Sequence, residues 1–376
     1  MENKKKEASL NRRDFLVGSS LAGAGLLTAG TAGACSSQSK QSNRTKPLAP
    51  DFIERNTDDG GFSKGYFPHF SPSEELWVDC HVHFSQLTDR ASLNHLLDEW
   101  FSRLDWSRLG KVVCITEQEN MFEIFGETTN NDPRFAWMYW PKIDTPSLSK
   151  IRDAVSYGSC AIKMHNSPII TGVVPRNAYQ RDEWQEIFAY AESNDIPVLW
   201  HVVNRVNYAA YHGGMLHSFW KQGWANGVAF TNKDLLEDAL VLLRRFPKLK
   251  VIGAHELHLG IDRLDELFRD FENLYIEGSC VMNLRWADDF SDEVRTLLRD
   301  FIEKWSERIL FGTDTMLFPS ANCIDEYNVQ SYLNHPRFML KLWLNDDALQ
   351  NVAWRNAYKL FKLKPGLWAR RGNIRP

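Results

Sequence analysis

The residues of this 376-residue chain best equipped for chemistry are histidines and one aspartate at the ends of short apolar runs. In Val78-Asp79-Cys80-His81-Val82-His83 the alternation would put Asp79, His81 and His83 on one face of an extended strand. Two imidazoles at adjacent same-face positions can converge on one ion. Pro197-Val198-Leu199-Trp200 ends in His201, Val251-Ile252-Gly253-Ala254 ends in His255, and Ile309-Leu310-Phe311-Gly312-Thr313 ends in Asp314. Three neutral imidazoles and a carboxylate hold a divalent transition metal and leave a position for water, as catalytic zinc requires. His81, His83, His201 and Asp314 are therefore the expected ligands of one metal, zinc first and manganese second. Each histidine alone reads as an ordinary hydrogen-bonded residue, but the set at successive strand ends does not.

These residues need elements to position them. From residue 76 onward, short apolar runs alternate with longer amphipathic ones, the pattern of βα units around a parallel sheet. Eight strands are expected, over 76–84, 111–116, 135–139, 161–165, 197–201, 250–255, 274–277 and 309–312. Between them Leu93, Leu96, Leu97, Trp100, Phe101 and Leu104 recur at helical spacing. A second helix is expected from Asn232, as its cap, to Phe246, stopped by Pro247. The sum is one α/β domain over 76–376, a (β/α)8 TIM barrel, whose chemistry sits at the carboxyl ends of the strands. Two connections read as long loops, 117–133 and 202–231, the second rich in Gly and aromatic residues.

Other residues at these ends carry two readings. Lys163, within the fourth strand, is a carbamylated bridge between two metals or, as favoured here, a plain cation that meets a carboxylate. Arg205 and Arg285 could hold an anionic substrate in bidentate fashion or be solvated loop residues. Glu277 and Glu117 are candidate pocket acids, and His165 either faces the pocket or caps the next turn. His255-Glu256-Leu257-His258 starts at a strand end, so it is not the helical His-Glu-x-x-His of zinc proteases, and His258 reads as a supporting residue.

Composition bounds the class. The chain is 43% hydrophobic and 24% charged, with a formal charge of -4, which excludes disorder, a polytopic membrane protein and a basic nucleic-acid surface. The expected partner is a small molecule, no nucleic acid is expected, and a homo-oligomer is compatible with the composition. Fourteen Trp residues are an excess. Trp200, Trp220 and Trp224, with Trp140, fall at strand ends or in the long connection after the fifth strand, where their faces could stack on a ring-shaped substrate.

Residues 1–34 read as an export signal. Asn11-Arg12-Arg13-Asp14-Phe15-Leu16 has the twin-arginine pattern, a weakly apolar Gly- and Ala-rich run follows, and Ala32-Gly33-Ala34 ends in Cys35 as a lipobox does, except that Ala32 replaces the usual Leu. The expectation is an exported, periplasmic or envelope protein, touching a membrane only through lipid on Cys35, with residues 35–75 as a tether and lead-in. The odd number of remaining cysteines, Cys80, Cys114, Cys160, Cys280 and Cys323, argues for core thiols, not a disulfide framework. The twin-arginine route carries folded proteins, often already loaded with a cofactor.

The ordered set Asp79-Cys80-His81-Val82-His83, Ile162-Lys163-Met164-His165, Val198-Leu199-Trp200-His201, Gly253-Ala254-His255-Glu256, Ile309 to Asp314 and Arg355 to Phe361 resembles the amidohydrolase superfamily, in its amidohydrolase-related branch of metal-dependent hydrolases and decarboxylases. The resemblance implies that His81, His83, His201 and Asp314 bind the metal, that Asp314 carries protons, and that His255 is the general acid/base polarising the substrate. It implies a hydrolase that attacks a lactone, ester or amide with metal-activated water. The alternatives are a nonoxidative decarboxylase of a small aromatic or unsaturated acid on the same site, and a lipid-anchored binding protein without catalysis. Trp200 and Val202 stand where relatives often have smaller residues, so no relative's substrate transfers directly.

Overall fold

A computed structural model describes residues 77–84, 87–104, 109–203, 218–279, 292–317 and 344–364. The export segment, the tether, Cys35, Arg205 and Arg285 lie outside the described residues. Strands β1 (Trp77–Phe84), β2 (Leu109–Thr116), β3 (Phe135–Tyr139), β4 (Ile162–His165), β5 (Val198–His201), β6 (Val251–Gly253), β7 (Leu274–Glu277), β8 (Ile309–Leu310) and β9 (Thr315–Leu317) form one sheet. Every pairing is parallel and follows chain order.

The sheet closes at its eighth position through an interruption. β8 pairs with β7, β9 pairs with β1 through Val82, His83 and Phe84, and between them the Cys80 amide donates to the Phe311 carbonyl at 3.1 Å. The single eighth strand expected over 309–312 is therefore two short ones. The break holds Asp314, whose backbone is left-handed at φ 56°. A β-branched or bulky residue would be strained in that conformation, whereas Asp is among the residues that tolerate it best.

Alternation along the strands builds two apolar layers. Small and medium residues, among them Val78, Cys80, Ala136, Leu199, Ala254 and Leu310, fill the barrel interior. Larger ones, among them Trp137, Phe135, Trp184 and Phe188, pack between strands and helices. Burying each such side chain contributes on the order of 1.5–3 kcal/mol relative to exposure. Helix α1 (Arg90–Arg103) starts at Asp89, whose carboxylate accepts the Ser92 amide at 2.8 Å. The expected loop over 117–133 is instead largely helix α2 (Phe122–Asn131). Phe122 and Phe125 pack on Trp137, and that burial outweighs the low helix propensity of Gly126, Thr128 and Thr129. Beyond β5, α3 (Ser218–Ala225) is likewise helical where a loop was expected. Helix α4 (Asn232–Arg245) is capped by Thr231 and not by Asn232, because the Asp234 carboxylate reaches back to the Thr231 amide at 2.8 Å.

At the amino ends of the strands, helix α5 (Asn356–Phe361) plugs the barrel with Ala357, Leu360 and Phe361. Its following residue, Lys362, donates to the carbonyl of Asp195 just ahead of β5. Cys80 and Cys114 are buried free thiols, and Cys160 is a half-buried one.

Candidate active site

The opposite rim collects the polar residues. β1 reaches it through a bulge: Asp79 pairs with Val112 and Val82 with Cys114, three steps against two. The one-face alternation expected for Asp79, His81 and His83 breaks at this extra residue. Asp79 leaves the metal-side group and becomes a brace, its carboxylate accepting the amides of His81 at 3.1 Å and Thr313 at 3.0 Å and the Thr313 hydroxyl at 2.5 Å. It thereby ties the first strand to the eighth.

With Asp79 holding the seam, three donor atoms meet beside it. His81 Nε2 and His83 Nε2 are 3.2 Å apart, and each lies 3.2 Å from Asp314 Oδ1. Zinc–ligand distances of about 2.0–2.2 Å set neighbouring tetrahedral ligand atoms roughly 3.3–3.6 Å apart, so this triangle has the dimensions of a metal face. The charge pattern agrees. Three acceptor atoms so close together repel one another unless positive charge stands beside them; Lys163 Nζ, 2.9 Å from His81 Nε2, supplies part of it, and a bound metal would supply the rest. His201 stands one ring further out, centred 4.6 Å from His255, and its Nε2 is buried with no hydrogen-bond partner among the described residues. The structure thus brings His81, His83 and Asp314 to one point and leaves His201 beside it, with a nitrogen that a fourth bond would satisfy. The donor set fits a divalent transition metal.

Around this point the rings form a closed circle. Centroid separations run His81–His83 5.1 Å, His83–Trp140 5.6 Å, Trp140–His165 5.6 Å, His165–His201 4.1 Å, His201–His255 4.6 Å and His255–His81 5.2 Å. Burial holds the imidazoles of His81, His83 and His255 below their ordinary range and those of His165 and His201 well below it. They are neutral at pH 7, as ligands and bases must be. Lys163 is fully buried and its Nζ lies 2.9 Å from His81 Nε2, which brings this cation to the edge of the histidine group. Burial alone would raise the carboxyl of Asp314, yet His81, His83 and His255 around it hold it well below the usual carboxylate range, and it is ionised.

Glu277 was expected at the substrate. It lies instead behind the circle, fully buried, and accepts His81 Nδ1–H at 2.8 Å, the amides of His255 at 2.9 Å and Ser279 at 2.7 Å, and the Ser279 hydroxyl at 2.8 Å. Those donors hold its carboxyl down against burial. Because Glu277 only accepts, Ser279 Oγ must in turn accept from His255 Nδ1, 2.7 Å away. One carboxylate therefore fixes two tautomers, leaving the Nε2 lone pairs of His81 and His255 facing the site. Ser279 was missed in the sequence because a single hydroxyl after a strand carries no spacing signal. His255 to His258 form a left-handed turn with φ of 50–55°, so the sixth strand ends at Gly253 and His255 projects from strained backbone. His258 stacks on His255 with centroids 5.3 Å apart.

The tryptophans divide differently than expected. Trp200 precedes the inward-facing His201, so alternation turns it outward, where it packs on Tyr179 and donates to Asn166. Trp220 is wholly buried in the outer core, and Trp224, 40% exposed, lies beside it. The residue of α3 that meets the site is Phe219, whose ring stands edge-on to His165 at 6.3 Å. Trp140, between His83 and His165, is the tryptophan in the circle. Glu117 is exposed at the end of β2.

Known proteins share this architecture. An apo crystal structure of an Agrobacterium tumefaciens protein superposes with a TM-score of 0.50 at 15% identity, over 80% of this chain and 97% of that one. A probable 2-pyrone-4,6-dicarboxylic acid hydrolase from Acinetobacter baumannii, with citric acid bound, gives 0.46 at 12% identity over 76% and 99%. A dihydroxybenzoic acid decarboxylase from Polaromonas, with manganese and an inhibitor bound, gives 0.47 at 13% over 77% and 97%. No curated protein matches in sequence. The family model described as amidohydrolase matches residues 78–363, from the bulged first strand to the plug of the barrel, and the chain is accordingly an enzyme of the metal-dependent amidohydrolase family.

Proposed function

We propose that this enzyme hydrolyses a small carbonyl compound, a lactone, ester or amide, with zinc as its metal. The observation that carries the reading is the 3.2 Å triangle of His81, His83 and Asp314 with a second proton acceptor, His255 Nε2, 3.8 Å from Asp314 Oδ2. When bound, zinc supplies a Lewis acid and lowers the pKa of its water from 15.7 toward about 7. His81, His83, Asp314 and, with its unsatisfied nitrogen, His201 would hold it.

The chain's own groups then handle protons. Asp314 Oδ2 receives the proton of the attacking water and returns it to the leaving atom. His255 Nε2 presents a lone pair in the resting tautomer, so it enters as an acceptor of a hydrogen bond from the attacking water and can relay that water's proton to Asp314 Oδ2, 3.8 Å away. Glu277, through Ser279, keeps His255 in that tautomer and charges the imidazolium favourably when it forms. Lys163 supplies a positive charge for an anionic part of the substrate. The neutral imidazoles and Trp140 wall the site with flat, weakly polar surfaces.

The same reading takes residues 1–34 as an export signal and places the enzyme in the periplasm or envelope. Among the described residues no helix is long and apolar enough to cross a membrane. The test is zinc-replete protein assayed against lactones, esters, amides and aromatic carboxylates, with His255→Ala as control. Turnover with oxygen from water in the product supports hydrolysis. Carbon dioxide release from a carboxylate, with no such oxygen, replaces it with decarboxylation. Turnover unchanged in His255→Ala removes that residue from the mechanism.

A further inference from the structure

His165 differs from His81 and His255 in which nitrogen keeps its hydrogen. The Ser167 amide donates to His165 Nδ1 at 2.9 Å. An amide N–H aimed at that nitrogen requires a lone pair there, so the ring's one hydrogen sits on Nε2. His81 and His255 are wired the other way round, each giving its Nδ1–H to Glu277 or Ser279. The short connection after β4 builds this contrast. Ser167 opens a helical turn at Ser167–Ile170 whose first amides have no partner within the turn, and the imidazole two residues earlier takes one of them. The Tyr179 hydroxyl donates to the His165 carbonyl at 3.2 Å, and Trp140 stacks on the ring at 25°. Backbone and ring are both held.

Nε2 of His165 has no partner among the described residues, and the ring is half-buried in the circle that surrounds the metal triangle. We infer that His165 is a substrate contact whose fixed Nε2–H donates to an acceptor-only oxygen, so that the site takes a carboxylate or carbonyl group carried on a flat body lying along Trp140. The contact has a consequence for metal binding as well: with its hydrogen on Nε2 and its Nδ1 committed to Ser167, His165 is not a ligand although it touches His201. Selectivity follows from the same hydrogen. A substrate presenting an ammonium, which has donors and no acceptor, at this point would leave two donors facing each other, which costs binding. This inference rests on the proposed site but not on the proposed reaction.

Benzoate is a suitable probe, because it pairs a planar body with a carboxylate. Calorimetric titration of the zinc-loaded full chain is expected to show binding that His165→Phe weakens roughly ten- to a hundredfold, the range of a hydrogen bond to a charged group. His165→Gln, whose amide nitrogen reaches a similar point, is expected to recover most of it. Nitrogen-15 chemical shifts of the wild-type imidazole should report hydrogen on Nε2 and none on Nδ1. The inference is overturned by hydrogen on Nδ1, by equal benzoate affinity in wild type and His165→Phe, or by no benzoate binding to wild type. If the substrate panel yields no hydrolysis while these results hold, the reaction falls and the donor stands.

Discussion

The two ends of this barrel each bury a lysine, and they use it in different ways. At the amino end Lys111 of β2 donates to the carbonyls of Pro133 and Phe135, and burial pushes it down to about 8. At the carboxyl end Lys163 of β4 donates to the His81 imidazole. The first lysine closes backbone acceptors where β3 begins, beside the apolar plug of Ala357, Leu360 and Phe361. The second leaves its charge among groups that can change partners. The contrast extends to the backbone. Left-handed non-glycine residues occur singly at the amino end, in Asp195 and Lys362, but run together at the carboxyl end in His255 to His258 with Asp314, where each costs of order 1–3 kcal/mol and persists because surrounding contacts over-determine it. One end is built for stability and the other holds strain and unsatisfied polarity for chemistry.

Three substitutions and one change of conditions test this division. Asp314→Asn should lower kcat roughly a hundred- to ten-thousandfold in the panel assay while the thermal midpoint of the metal-free protein stays near that of metal-free wild type. Retained turnover would remove Asp314 from proton transfer. Phe361→Ala, at the other end, should cost about 3–5 kcal/mol in denaturant unfolding and leave the zinc content of the folded fraction unchanged. A loss of zinc with stability preserved would join what the comparison separates. Lys111→Met should cost about 1–3 kcal/mol, because the Pro133 carbonyl loses its donor, with kcat/KM unaltered.

The smallest effect concerns pH. His165 and His201 have folded-state pKa values held well below the unfolded value of about 6.5, so unfolding takes up protons below that pH. Their contribution is fully present above pH 6.5 and declines as pH falls. Metal-free protein should therefore lose thermal stability between pH 7 and 5.5, and His165→Phe should flatten that slope. A slope of opposite sign would show the rings to be charged in the fold.

Much of this was legible in the strand ends. His81, His83, His201, His255 and Asp314 each follow an apolar run, and parallel strands deliver such residues to one rim whatever the details of the helices. What alternation could not show was where it fails. The bulge between Asp79 and Val82 turns Asp79 into a brace, and a bulge leaves no mark in residue types. Trp200 was read by its closeness to His201 in sequence, yet neighbours on a strand face opposite ways, so the inward histidine sends the tryptophan outward. Phe219 and Ser279 escaped because a helix after a long connection and a lone hydroxyl gain meaning only from their neighbours in space. The helix over 122–131 was hidden by weak local propensity that packing on Trp137 overrides.

The interrupted eighth strand bears on folding order. β1 and β9 are the most distant partners in the sheet, so their pairing has the highest contact order in the barrel and a correspondingly slow approach. The metal triangle draws two corners from β1 and the third from the residue just before β9, and Asp79 clasps Thr313 across the same seam. Gly312 lies in that seam with no room for a side chain, since a Cβ there would come within 2.5 Å of Glu277. The site therefore exists only where the circle of strands has joined, and a metal held by this triangle would staple the joint between the most distant partners in the sheet.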